Sequence, residues 1–182
     1  MHKIFTLFLL VTLTVISGCS KELRPDNSAR VSSKDLQSDN SARLKELNDY
    51  WAEVSRCVNE GDFYGYKATC HKDGIFVSGA SNKAYPLSHA LKRWKQDFTD
   101  TKSGITKASV EFRFSKRLGD KTTAHETGMF YYSSVNTDGT KKMYYIHLEA
   151  LLIKRGRWKI MMEYQKSEGT EKEWNKLKQS EL

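Results

Sequence analysis

The sequence predicts an α+β domain in which helices come first and a run of long antiparallel strands follows. Up to about residue 98, apolar residues recur at intervals of three and four, the spacing of one helical face. From Gly104 onward the period changes to two, the spacing of a strand with one buried face. The segments Asn136-Thr137-Asp138-Gly139 and Lys154-Arg155-Gly156 suit three-residue hairpin loops with glycine in the left-handed conformation. At 182 residues the chain suits one domain.

Residues 1–18 read as a leader outside that domain. A basic head, Met1-His2-Lys3, precedes an apolar stretch from Ile4 to Ile16, then the small pair Ser17-Gly18 and Cys19. Thirteen helical residues rise about 20 Å, short of a bilayer core of about 30 Å, so a spanning anchor is the weaker reading. The boundary Val15-Ile16-Ser17-Gly18-Cys19 resembles the bacterial lipobox. That resemblance implies cleavage before Cys19, a lipid thioether on Cys19 and acylation of the new amino terminus with chains such as palmitate. An ordinary secreted protein cut nearby is the alternative. Ser20, with no aspartate at that position, resembles the signal for the outer membrane, facing the periplasm.

Residues 19–42 are polar and read as the lipidated cysteine and a flexible tether. Asp26-Asn27-Ser28-Ala29-Arg30 recurs as Asp39-Asn40-Ser41-Ala42-Arg43, a single duplication and too little for a solenoid. The folded domain is expected over 43–167. A first helix starts near Ser41, with Leu44, Leu47, Trp51, Val54 and Val58 on one face and Gly61 as its stop. Asp62 caps a second, short helix carrying Phe63, Tyr66 and Cys70. A strand follows at Ile75-Phe76-Val77. After Pro86, a third helix presents Leu87, Ala90, Leu91, Trp94 and Phe98. Four strands close the domain, one containing Val110, Phe112 and Phe114 and then 121–134, 141–154 and 157–166. The tail, 168–182, carries a capping box at Thr170 and Glu173, with Trp174 and Leu177 on one face of a short docked helix.

The turns predict register. They set Phe114 opposite Glu126, Glu126 opposite Ala150, and His147 opposite Glu163. Even-numbered residues then share one apolar face beneath the helices, and Glu126 is the one charge on it. The odd face is polar, and its Met129, Tyr131, Tyr145, Leu151 and Met161 are compatible with a homodimer through the sheet.

The order of these elements resembles the nuclear transport factor 2-like superfamily, and more closely its bacterial SnoaL-like members. The resemblance rests on Glu60-Gly61-Asp62-Phe63 ending the first helix and on Cys70-His71-Lys72-Asp73-Gly74-Ile75-Phe76 leading into a strand. Ala124 and Gly128 match an A-x-x-x-G strand, and Gly156-Arg157-Trp158-Lys159-Ile160 matches the final hairpin. Lys72 stands where those proteins usually carry proline. The likeness implies a cone of helices on a curved sheet with an apolar pocket. The family holds isomerases, cyclases, dehydratases and non-enzymatic binding modules, so fold alone does not choose.

The first expectation is therefore a membrane-anchored module that binds a small apolar ligand or a protein partner without catalysis. The alternative is an isomerase or dehydratase in which Glu126 moves a proton. Ketosteroid isomerase-like relatives use pocket acids that way, because burial disfavours the charged form. A Glu126 at the wet mouth, or paired with Arg56 or Lys67, is the plainer account. Asp73 is a second candidate acid, although an aspartate at such a turn more often bonds nearby amides. Tyr50, Trp51, Tyr66, Trp94, Phe130, Tyr144 and Trp158 are candidate pocket-lining residues, each open to the plainer reading of core. Cys57 and Cys70 form a bridge or remain two buried thiols. No HExxH, HxxxH or CxxC spacing occurs, so no metal or other cofactor is expected. The net charge of +8 lacks the dense basic run with spaced aromatics of a nucleic-acid groove.

Overall fold

The computed structural model describes residues 33–177. The leader, Cys19 and the first part of the tether lie outside the described residues. The elements are α1 (Ser33–Glu60), α2 (Phe63–Thr69), β1 (Cys70–Ser78), β2 (Lys83–Pro86), α3 (Leu87–Lys102), β3 (Thr106–Gly119), β4 (Thr123–Asn136), β5 (Lys141–Arg155), β6 (Arg157–Glu168) and α4 (Glu171–Leu177). The strands form one sheet in the order β2-β1-β6-β5-β4-β3, antiparallel except where β1 runs parallel to β6.

Helix α1 begins at Ser33, inside the stretch expected to be tether. Its early turns carry no apolar stripe, so hydrophobic periodicity had nothing to register there. They are held by polar contacts instead: Lys121 pairs with Asp39 at 2.8 Å, and Arg43 donates to Asn40 Oδ1 at 2.7 Å. Further along, Leu47, Tyr50, Trp51 and Val54 are buried against the sheet. Asp62 caps α2 by accepting from the Gly65 amide at 2.9 Å. Gly61 has φ +67°, and a Cβ there would lie 2.4 Å from the Lys102 amide nitrogen, so the α1–α2 turn needs glycine. The short edge strand β2 ends in Pro86 and pairs only with β1, which is why sequence pattern passed over it.

The β4–β5 register is the expected one, with Glu126 opposite Ala150. The other two hairpins differ. Phe114 lies opposite Gly128 rather than Glu126, and a bulge at Ser115 then brings Arg117 opposite Glu126. Between β5 and β6, Met161 and Lys166 are unpaired. These two bulges invert the alternation of the residues between them. Glu163 therefore faces Ala150 on the inner side of the sheet, and His147 lies opposite Ser167. Met162 and Tyr164, expected inside, lie opposite Leu151 and Glu149 on the outer side.

On that outer side α4 is docked. The indole of Trp174 is buried and packs 6.2 Å from the Tyr131 ring and 6.1 Å from the Tyr145 ring. The Arg113 guanidinium sits 4.0 Å from its centre. The capping box forms: the Glu173 amide donates to Thr170 Oγ1 at 3.2 Å, and the Thr170 amide donates to the Glu173 carboxylate at 2.8 Å. Part of the apolar surface expected to pair with a second copy is thus covered by the chain itself. Among the described residues, no helix is long and apolar enough to cross a membrane.

Candidate functional site

The inner face of the sheet and helices α1, α2 and α3 enclose a cavity of about 590 Å³. Its mouth carries the exposed side chains of Asp97, Lys142 and Tyr144. Its far end is formed by buried Tyr50, Leu148, Ile160 and Glu163. Such a volume suits a small organic molecule.

Tyr50, Trp51, Tyr66, Trp94, Phe130 and Tyr144 all border this space. Trp158 does not. Its indole donates to Glu46 at 2.8 Å beneath α1, and the same carboxylate takes Lys154 at 2.6 Å. The rings at the cavity wall brace one another: Tyr66 meets Trp94 edge-on at 6.1 Å, and Tyr50 meets Trp51 the same way at 5.0 Å. The Tyr50 hydroxyl donates to the Thr69 carbonyl at 3.4 Å.

Glu126 is fully buried, but it is not among the residues that line the cavity. Trp51 Nε1 donates to one of its oxygens at 2.5 Å and Arg117 Nε to the other at 2.5 Å. Arg117 also donates to Asn48 Oδ1 at 2.5 Å, and its guanidinium lies 4.7 Å from the Phe114 ring centre. The counter-ion comes from the neighbouring strand, turned inward by the Ser115 bulge, and not from Arg56 or Lys67. Arg56 is occupied by Glu53, Glu60 and Asp62. With each oxygen engaged and the side chain outside the cavity lining, Glu126 clamps α1 to β3 and β4.

Asp73 is outside as well. Its carboxylate is 61% exposed and pairs with Lys72 at 2.9 Å, which holds its pKa below the ordinary value. Cys57 and Cys70 are buried free thiols, with no bridge between them. Cys57 Sγ contacts Glu53 at 3.4 Å and Cys70 Sγ the Tyr66 carbonyl at 3.5 Å, so the two face different partners. Burial pushes each thiol up to about 12, which leaves both protonated and poorly nucleophilic. Among the described residues, no group of three or more candidate ligands could hold a metal ion.

The buried acid that does reach the cavity is Glu163. It is 8% exposed, and Gln165 Nε2 donates to its Oε1 at 2.7 Å. No described cation lies within ion-pair distance of it. Desolvation pushes its pKa from 4.5 up to about 7, opposed only by the Gln165 hydrogen bond. Strict alternation had placed Glu163 on the outer face opposite His147. The usable signal was the run Ile160-Met161-Met162, three consecutive apolar residues that break a period of two and mark the bulge. His147 instead approaches Glu173 of α4, at 3.6 Å.

This arrangement, helices closing a cone over a curved, mostly antiparallel sheet, also occurs in solved structures. A conserved protein from Planctomyces limnophilus DSM 3776 superposes with a TM-score of 0.59 at 9% identity, over 68% of this chain and 94% of that one. ActVI-ORFA from Streptomyces coelicolor gives 0.54 at 16% identity, over 66% and 93%. An NTF-2 like protein of unknown function from Shewanella oneidensis MR-1 gives 0.53 at 16% identity, over 66% and 96%. The fold is nuclear transport factor 2-like. No protein-family model and no curated protein matches the sequence.

Proposed function

We propose that this nuclear transport factor 2-like domain binds a small, mostly apolar ligand in its cone, with Glu163 and Gln165 meeting the ligand's polar end. The observation that carries this reading is the 590 Å³ of space left between aromatic walls. A structural core would have filled that space to crystal-like density. Trp51 and Trp94 border the cavity, so ligand entry is expected to alter tryptophan fluorescence. Ala108, buried on the cavity wall, offers the matching control. Ala108→Phe projects a ring into this space and is expected to weaken the fluorescence response to small apolar probes while the protein stays folded. An unchanged response in that variant overturns the reading.

The same reading places the domain on an exported protein held to a membrane through lipid on Cys19, at the periplasmic side of an outer membrane. Support comes from the leader and the lipobox-like Val15-Ile16-Ser17-Gly18-Cys19 alone. Mass spectrometry of the mature amino terminus tests it: a diacylglyceryl adduct and palmitate on Cys19 are expected, and a terminus beginning elsewhere removes the anchor.

A second reading is favoured by one observation, a buried carboxyl on the wall of an open cavity, where desolvation pushes its pKa up to about 7. A group with a pKa near 7 can take and return a proton at physiological pH. Proton-transfer catalysis, as in an isomerase or dehydratase, would then reside at Glu163 and not at Glu126. Turnover by the parent protein that is lost in Glu163→Gln but kept in Asp73→Asn is its expected signature.

A further inference from the structure

We propose that the ligand is a cationic amphiphile, a protonated amine on an apolar body, whose ammonium seats between the Glu163 carboxyl and the rings of Tyr50, Tyr66 and Trp94. This rests on the ligand-binding reading above and gives its site a chemical class. Three features of the cavity point the same way.

The first is charge. Among the described residues that line the cavity, Asp97, Asp100 and Glu163 carry carboxyl groups, and Lys142 alone carries a cation. Asp97 and Lys142 are exposed at the mouth and screened by water, whereas Glu163 is buried at the far end. An anionic ligand driven inward would meet a group that becomes negative; a cationic one would meet its counter-charge. Second, no cation among the described residues pairs with the deep carboxyl. Gln165 satisfies part of Oε1, and the groups around it are uncharged: the phenols of Tyr50 on α1 and Tyr66 on α2, the thiol of Cys70 on β1, and Leu148 and Ala150 on β5. Burying a carboxylate without a partner is costly, and a matching ligand charge would relieve that cost. Third, the walls are aromatic. An ammonium over the faces of Tyr and Trp is stabilised by the ring quadrupole, more so when desolvated.

The geometry has a proton consequence. With the cavity empty, Glu163 holds its proton up to about pH 7. An ammonium seated beside it favours the carboxylate, so binding below pH 7 releases that proton to solvent. A primary amine stays protonated to about pH 10, like a lysine side chain, so the pH response belongs to the protein. Amine affinity therefore rises between pH 5.5 and pH 8 and then levels.

The test uses one apolar body with three ends: 4-phenylbutylamine, 4-phenylbutanol and 4-phenylbutyrate, titrated calorimetrically into the parent protein and Glu163→Gln. At pH 8 the amine is expected to bind at least tenfold tighter than the alcohol. Glu163→Gln should lose that factor and the pH dependence, and a circular dichroism spectrum matching the parent's shows that the variant is folded. Equal binding of amine and alcohol, both indifferent to Glu163→Gln, overturns the cationic class and leaves the cavity reading standing. Tightest binding of the carboxylate overturns the class as well. Failure of all three to bind overturns the ligand-binding reading and this inference together.

Discussion

Two buried glutamates, on β4 and β6 to either side of Ala150 on β5, do opposite work. Glu126 is held through both oxygens by Trp51 and Arg117, whereas among the described residues Glu163 is held by Gln165 alone. Glu126→Gln leaves the half-buried Arg117 charge without its partner, and removing one member of such a pair costs up to about 3 kcal/mol. A lowered urea midpoint at neutral pH is the expected result. Glu163→Gln acts in the other direction and only above acid pH. The folded pKa of Glu163 is about 7, against an ordinary 4.5. Folding therefore takes up a proton between those values. The stability associated with the neutral form is fully present below about pH 4.5 and is lost as pH rises to about 7. The loss is about 3 kcal/mol for a shift of this size. Urea unfolding of Glu163→Gln should lack this decline, so that the variant matches the parent at pH 4 and exceeds it at pH 8.

Bulges decide the chemistry at the level of elements. The parity that placed Glu126 on the inner face was legible, because β4 and β5 alternate without interruption from Thr123 to Ile153. Glu163 was expected on the outer face and Arg117 was not expected beside Glu126, because each follows an unpaired residue that turns the chain over. The sequence marks both breaks: Ser115-Lys116-Arg117 are three consecutive polar residues, and Ile160-Met161-Met162 three apolar ones. A run of one type shows that alternation fails but not which residue bulges, since that depends on how both neighbouring strands pack. Gly128 shows how tight the first bulge is. A Cβ there would lie 2.0 Å from the Arg113 carbonyl oxygen and 2.8 Å from Phe114 Cα. Gly128→Ala must push β3 away from β4, and overpacking of this kind costs about 1–3 kcal/mol. Thermal unfolding of that variant should fall by several degrees.

For the whole molecule, a hollow cone opens on one side of the sheet, and a helix covers part of the other. Trp174 buries its indole on Tyr131 and Tyr145, near Met129, which is itself fully buried. Gly169 makes the approach close, since a Cβ there would lie 2.4 Å from Met129 Cε. Trp174→Ala should release α4 and expose this apolar surface. Sedimentation velocity is then expected to report concentration-dependent self-association, while the affinity of cavity ligands stays unchanged because the cavity opens on the opposite face.

By itself the sequence determined the α+β class, the succession of the helices and long strands, and the capped tail helix. These follow from local periodicity and turn chemistry, which each segment carries within its own residues. Tertiary structure decided that Glu126 is clamped, that Glu163 lines the cavity, and that the cone is hollow. Those outcomes depend on bulges, ion partners and packing volume, which arise only when distant segments meet and compete for the same space.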